Sequence, residues 1–202
     1  MARSYGDAGK SLGSNEANSK FGRENASIGL RGEKYFRDVL ERAGVDRDYD
    51  IWYSLKIPSD PHNRNATKYS SDVDVALTSG NKLLLIDVKM WSASSAYWSL
   101  FGLPFKGLSP MIDKKKGWRL SSNMAAAVDR YQKNLPGVSV QAMVIFVPTR
   151  AGGAAPMVNF LKWPGDIRSY SSQDGLRKAK KWLGRGEETT PKLRALMGRM
   201  VR

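Results

Sequence analysis

The fold is decided by the stretch SDVDVALTSGNKLLLIDVKMW, residues 71–91. Two strand-like runs flank Ser79-Gly80-Asn81, and a Gly-Asn pair between such runs indicates a tight hairpin turn. If Gly80 and Asn81 form the loop, Ser79 faces Lys82, and this pair fixes the register of both strands. The sequence therefore predicts an antiparallel hairpin around which the rest of the chain is organised.

The predicted register gathers polar side chains on one face of the hairpin. Counting back from the turn places Asp74 opposite Asp87, and Asp72 opposite Lys89. Facing residues have Cβ atoms about 5 Å apart, so Asp74 and Asp87 are predicted neighbours. The opposite face receives apolar side chains, namely Val73, Val75, Ile86 and Val88.

Two adjacent carboxylates repel each other unless positive charge lies between them. Mg²⁺ is suited to this place because it is commonly held by one or two carboxylates together with substrate phosphates. Lys89 would then lie beside the ion and could orient water or neutralise charge developing on a phosphate. The alternative is a solvated strand end, but Asp87 follows the apolar run 83–86, where an unused charge is costly.

The composition points to a polyanionic partner. The 202 residues include 33 Lys and Arg against 19 Asp and Glu, a net charge of +14, which is typical of nucleic-acid-binding proteins. An anionic membrane surface is the other candidate. Cysteine is absent and His62 is the single histidine, which excludes thiolate and multi-histidine zinc sites. The sequence contains no run of eighteen apolar residues, so no transmembrane helix is predicted. A cytoplasmic location is expected.

The rest of the chain predicts an α/β domain at residues 25–185, preceded by a flexible tail at 1–24. A helix beginning near residue 27 carries Glu33 at the border of its apolar face. A strand at 50–57 follows, with Ile51, Tyr53, Leu55 and Ile57 on one face. After the hairpin, a helix from Ser122 to Leu135 and a buried strand at 138–147 predict a right-handed crossover and a parallel neighbour for the hairpin. An edge strand is predicted at 158–163.

Basic residues occur in three predicted regions. An insertion at about 91–118 interleaves aromatic residues with a basic cluster, which suits a lid that grips nucleic acid or, alternatively, a satellite hydrophobic cluster with a solvated turn. A helix at 173–183 is basic on its outer face. The candidate nucleic-acid-binding residues in these two regions are Lys114, Lys115, Lys116, Arg119, Arg177, Lys180 and Lys181. A basic terminal helix at 186–202, starting at Thr190-Pro191, could pack on the domain, pair with another chain or lie on DNA.

A family resemblance enters with Gly32-Glu33, Asp72-Val73-Asp74, Ile86-Asp87-Val88-Lys89 and the helix and strand that follow them. This order resembles the nuclease-related domain (NERD), a branch of the restriction-endonuclease-like superfamily with its Asp…(Asp/Glu)-x-Lys signature, over residues 28–147. Asp87 stands where the family usually has Glu. Asn123 stands where it often has Gln.

The resemblance implies a restriction-endonuclease-like three-layer α/β fold, with a mixed central sheet flanked by helices, and a Mg²⁺-dependent phosphodiesterase in which Mn²⁺ can substitute. Asp74 and Asp87 would bind the metal, and Glu33 would join them or position water. Lys89 would stabilise the attacking hydroxide or the scissile phosphate. Asp72 would be a second ligand or the ion-pair partner of Lys89, and the predicted register favours the ion pair.

Three hypotheses for function follow from the sequence. The first is a nuclease, endo- or exo-, that hydrolyses DNA. The second is a catalytically inactive DNA-binding accessory protein, for example one acting in phage or plasmid transfer. The third, membrane-surface association through the terminal helix, ranks lowest because it leaves the central acidic cluster without a purpose. A homodimer is compatible with each of them.

Overall fold

A computed structural model describes residues 3–7, 20–61, 72–90, 96–97, 111–112, 114–147 and 167–201. In chain order the strands are β1 (Ser4–Tyr5), β2 (Asp50–Leu55), β3 (Val73–Ser79), β4 (Lys82–Met90), β5 (Ala96–Tyr97), β6 (Met111–Ile112), β7 (Ser139–Val147) and β8 (Arg168–Ser171). The helices are α1 (Lys20–Arg42), α2 (Val45–Asp48), α3 (Lys114–Asn134), α4 (Ser172–Leu183) and α5 (Pro191–Met200). His62 and the predicted strand at 158–163 lie outside the described residues.

The central sheet has six strands in the order β1-β2-β3-β4-β7-β8. Strands β2, β3 and β4 pair antiparallel, whereas β1 runs parallel to β2, and β7 and β8 run parallel to β4. The sheet is therefore mixed, as predicted, and β7 is the predicted parallel neighbour of the hairpin. Strands β5 and β6 form a separate two-stranded sheet.

The predicted hairpin register is confirmed. Ser79 pairs with Lys82, and the ladder runs without a shift to Val75 opposite Ile86. Gly80 has φ +53°, a left-handed conformation that glycine adopts without steric cost. The two-residue turn therefore sets the face of each side chain in the paired part of the hairpin, from Val75 to Ile86.

Helices cover both faces of the sheet, which gives the three-layer architecture. Buried side chains of α1, α2 and α4 pack on one face, and those of α3 and α5 pack on the other. Each cluster takes alternate side chains from the central strands, because successive strand residues point to opposite faces. The first face is lined by Ile51, Tyr53, Val75, Leu77, Leu84, Ile86 and Val88, and the second by Trp52, Ala76, Leu83 and Leu85.

This alternation reverses at one level of the sheet. Leu55 and Val73, which pair with each other, both pack on the α3–α5 face, although Tyr53 and Val75 pack on the opposite one. The predictions that Val73 shares a face with Val75, and Leu55 with Tyr53, are therefore wrong. The reversal coincides with Ser54, which adopts φ +52°, so β2 does not continue as a regular pleated strand there.

The two ends of the chain belong to the fold. The tail predicted at 1–24 is wrong for residues 3–7 and 20–24, because β1 pairs with β2 and α1 begins at Lys20. The predicted 186–202 segment packs on the same domain through Leu193, Leu196 and Met197 of α5. These contacts show that the terminal helix packs on the domain, which was one of its three predicted fates.

Helix α3 is longer than predicted. It begins at Lys114 rather than near Ser122, so the end of the predicted 91–118 insertion is helical. Most of the remaining insertion lies outside the described residues. Among the helices that are described, none combines the length and apolarity needed to cross a membrane.

Candidate active site

The candidate site lies where the β3–β4 ladder ends. The last paired residues are Val75 and Ile86, and beyond them Asp74 Oδ2 accepts the backbone N–H of Val88 at 2.7 Å. A buried backbone N–H requires a hydrogen-bond acceptor. Here the acceptor is the Asp74 carboxylate instead of a carbonyl of the neighbouring strand. Asp74 is thereby held against β4 next to Asp87.

Lys89 joins the two carboxylates. Its Nζ donates to Asp87 Oδ1 at 2.7 Å and lies 3.9 Å from Asp74 Oδ2. Both aspartate side chains are 8% exposed, whereas that of Lys89 is 31% exposed. The ammonium group therefore contacts both acids while part of the side chain remains accessible to a ligand from solvent.

The electrostatics of the cluster are dominated by burial and by an excess of acid. Burial raises the pKa of Asp74 well above its usual range; Lys89 lowers it, Asp87 and Glu33 raise it further, and the Val88 N–H lowers it. For Lys89, burial opposes the charge, but Asp87 and Asp74 outweigh burial and raise its pKa. One ammonium faces three acidic groups, so the charges of the cluster are not balanced within it.

Glu33 reaches this end of the sheet because α1 packs closely on β4. A Cβ on Gly32 would lie 2.8 Å from Met90 Cβ and 3.3 Å from Val147 Cγ2, so only glycine permits this separation without a shift. Glu33 is buried, and its charge acts on both Asp74 and Lys89. Gly32 therefore allows the close packing of α1 on β4 that brings Glu33 to the cluster.

The carboxylates present suit a hard divalent cation. Asp87 Oδ2 is buried and has no hydrogen-bond partner within the described part of the chain, so it retains capacity to act as a ligand. Within those same residues, no group of three or more His, Cys, Asp or Glu side chains could hold an ion. A metal site would thus depend on Asp74 and Asp87 with oxygens from substrate, a common arrangement for Mg²⁺. The role of Glu33 stays a prediction.

Asp72 does not occupy its predicted place. The ladder ends at Val75 and Ile86, so Asp72 is not paired across from Lys89, whose strand neighbour is Phe146 of β7. Asp72 lies before β3 and is close enough to α3 that its charge adds to burial in raising the pKa of Tyr131. The register extrapolation was wrong there because it assumed an unbroken ladder.

The predicted basic residues are not all near this cluster. Lys82 Nζ, at the start of β4, donates to the carbonyls of Trp182 and Leu183, so the end of α4 lies at the hairpin turn. At about 3.3 Å per residue, the turn is roughly 23 Å along β4 from Lys89. Lys180 and Lys181 are thus placed towards the end of the sheet opposite the acidic cluster.

The other predicted nucleic-acid-binding residues lie on α3 and α4. Arg177 is exposed and donates to Asp174 Oδ1 at 2.7 Å, which offsets part of its charge. The four basic residues expected in a lid lie in the first two turns of α3, namely Lys114, Lys115, Lys116 and Arg119. Asn123 is half-buried in the same helix.

Sequence reasoning missed two features at this end of the sheet. Val88 acts through its main chain, which no side-chain pattern reveals. Ser54, at the level of Asp74, has no sequence signal for a left-handed backbone, because serine lacks the preference of Gly or Asn for that conformation.

The fold is a mixed sheet between two layers of helices, and its central hairpin ends in two carboxylates and a lysine. These features are those of a nuclease-related α/β protein. The family model "Nuclease-related domain" (NERD) matches residues 28–147, more than half of the chain, and the chain belongs to this family. The match confirms the family predicted from the motifs and points to a nuclease-related function with nucleic acid as the partner. No curated protein and no solved structure matches the chain.

Proposed function

We propose that this protein is a metal-dependent nuclease that hydrolyses DNA phosphodiester bonds. The observation that carries the proposal is the contact of Lys89 Nζ with both Asp87 Oδ1 and Asp74 Oδ2 at the end of the β3–β4 ladder. Family membership supports the reaction class, and the net charge of +14 supports a polyanionic substrate.

Each residue of the cluster has a distinct proposed role. Asp74 and Asp87 would hold Mg²⁺, with Mn²⁺ as a substitute, and the ion would supply charge stabilisation and lower the pKa of water. Asp74 is held by the Val88 N–H and is therefore oriented before substrate arrives. Lys89 is accessible enough to donate to a phosphate oxygen on which negative charge develops. Glu33 would position the attacking water.

In the overall reaction, the oxygen of water forms a bond to phosphorus and one P–O ester bond breaks. The proton from water ends on the departing alkoxide. The protein would contribute mainly by positioning and electrostatic stabilisation, as is usual in phosphoryl transfer.

The test is cleavage of supercoiled, linear and single-stranded DNA with Mg²⁺, with Mn²⁺ and with EDTA. We expect cleavage with either metal and none with EDTA. Asp87→Asn should reduce the rate by about 10²-fold or more, because it removes a carboxylate that would hold the metal. Asp129→Asn is the matched control, since Asp129 is an exposed acid of α3 that pairs with Lys133.

The inactive DNA-binding protein is the second candidate. It is favoured by the short contact between Lys89 and Asp87, which compensates that carboxylate without a metal. In that case the wild-type protein would bind DNA equally with and without EDTA, and no nicks would accumulate with any metal. Equal cleavage by Asp87→Asn and the wild type would instead refute the assignment of the site.

A further inference from the structure

Ser54 has an unusual backbone conformation for its residue type. It is buried and has φ +52°, and it is the one non-glycine residue with positive φ in the described part of the chain. Side chains are disfavoured there because Cβ approaches the neighbouring carbonyl oxygen. Such residues persist only where the surrounding structure holds them, and they cluster at functional sites.

The unusual backbone coincides with the reversal of the sheet pattern. On the two adjacent strands, Tyr53 pairs with Val75 and Leu55 pairs with Val73, so Ser54 and Asp74 lie at the same level. Each pair packs on a different face of the sheet. Both strands therefore change orientation between these two pairs, and Asp74 is the residue of β3 at which the change occurs.

The reversal also ends the hairpin ladder on the other side of β3. Pairing with β4 stops at Val75 opposite Ile86, and the next donor on β4, the Val88 N–H, is bound by the Asp74 carboxylate at 2.7 Å. In a regular strand this carboxylate would stand perpendicular to the sheet. Here it lies close enough to β4 to bind its backbone and to approach Lys89.

Both ends of the chain hold Ser54 in place. Ser54 Oγ donates to the carbonyl of Asp7 at 2.7 Å. Gly6 packs against the backbone of Tyr53, where a Cβ added to Gly6 would lie 2.7 Å from the Tyr53 carbonyl oxygen. On the following residues, Leu55 bridges to Val201 and the Lys56 N–H donates to the Met200 carbonyl at 2.8 Å. The bend is thus fixed by contacts on either side of it.

We propose that Ser54 is a positioning residue of the site: its left-handed backbone reverses β2 and β3 and turns the Asp74 carboxylate onto the Val88 N–H beside Lys89. Its importance for cleavage rests on the proposed function. Its control of Asp74 does not, because the hydrogen bond to Val88 can be measured without substrate or metal.

The experiment compares Ser54→Gly, Ser54→Ala and Ser54→Val. Glycine and alanine both lack the hydroxyl group and differ by the Cβ that opposes positive φ, so they form a matched pair. Valine opposes the conformation more strongly because it is branched at Cβ. The direct readout is hydrogen exchange of the Val88 amide by NMR, with the Leu84 amide inside the ladder as an internal reference.

We expect Ser54→Gly to keep Val88 protection within about threefold of wild type, and Ser54→Val to lose about tenfold or more while Leu84 is unaffected. Cleavage should fall in parallel with Val88 protection, through kcat rather than KM, because DNA contacts are unchanged. Should Ser54→Val fail to fold, Ser54→Ala is expected to exchange at Val88 about fivefold faster than Ser54→Gly.

Wild-type protection of Val88 in Ser54→Val, or equal protection in the alanine and glycine variants, would overturn the proposal. A further outcome would separate this proposal from the proposed nuclease function. If Val88 protection changes as expected but the wild-type protein never cleaves DNA, Ser54 positions Asp74 and the nuclease assignment alone fails.

Discussion

Lys82 begins β4 and Lys89 lies next to its end, and both side chains are partly buried. Lys82 Nζ donates to two backbone carbonyls, those of Trp182 at 2.9 Å and Leu183 at 3.3 Å. Lys89 Nζ instead contacts two carboxylates, one of which has a second oxygen without a hydrogen-bond partner in the described residues. The same residue type on one strand thus has fixed main-chain partners at one end and ionisable partners at the other.

The surroundings of the two lysines differ in the same way. At the turn, Ser79 Oγ donates to the Arg185 carbonyl and accepts from the Glu187 N–H, and Gly80 N–H donates to the Glu187 carbonyl. Hydrogen bonds to neutral backbone groups contribute stability, and these groups have no excess charge that could attract a ligand. Buried charges in excess of their counter-charges cost stability and favour a bound cation. This contrast separates a structural lysine from one suited to chemistry.

The largest expected effect is that of Lys89→Met, which keeps the length of the side chain but removes the ammonium group. Cleavage should fall by about 10²- to 10³-fold, the cost of removing one stabilising donor from a developing oxyanion. The measurement is single-turnover cleavage at a temperature where circular dichroism shows the variant folded. DNA affinity in EDTA should change little, because many other basic residues contribute to it.

The second-largest effect is expected for Lys82→Met, the matched substitution at the other end of β4. The free energy of unfolding should fall by about 2 kcal/mol, because hydrogen bonds from a charged donor to two carbonyls are lost. Urea unfolding followed by tryptophan fluorescence measures this change. The cleavage rate of the folded variant should equal that of wild type, and a large loss would show that the turn end contributes to the site.

The smallest expected effect is that of Gly32→Ala. The new Cβ would approach Met90 Cβ and force α1 away from β4, while alanine favours the helix by about 1 kcal/mol. The two contributions to stability should nearly cancel, so the melting temperature should change little. Cleavage should still fall severalfold, since Glu33 moves with the helix. Gly198 of α5 is exposed, and a Cβ there would meet no atom within 4 Å, so Gly198→Ala serves as the control.

The central hairpin could be predicted from sequence because a two-residue turn leaves a single register. Thr190-Pro191 likewise placed the start of α5, with Thr190 as its N-cap and Pro191 in its first turn. Strands β1 and β8 escaped prediction because SY and RSYS have no hydrophobic alternation and pair only through the tertiary context. The start of α3 was placed too late because Ser122 was taken as the N-cap, although Asp113, another residue type favoured at that position, directly precedes Lys114.

The candidate site was predictable only in part. Asp74, Asp87 and Lys89 meet because the register holds up to the end of the ladder. The places of Asp72 and Val73 were predicted wrongly because alternation was extended past the level of Ser54, where β2 has a left-handed residue. Neither the reversal nor the Asp74 bond to Val88 follows from residue type, since both depend on contacts made by distant parts of the chain.

Those distant contacts bear on the order of folding. The far end of β2 acquires neighbours from Gly6, near the beginning of the sequence, and from Val201, near its end. On a ribosome the central hairpin emerges long before Val201, and pairings between remote segments form slowly. We therefore expect the bend at Ser54 to form after the hairpin, once the segment that contains Val201 has been translated.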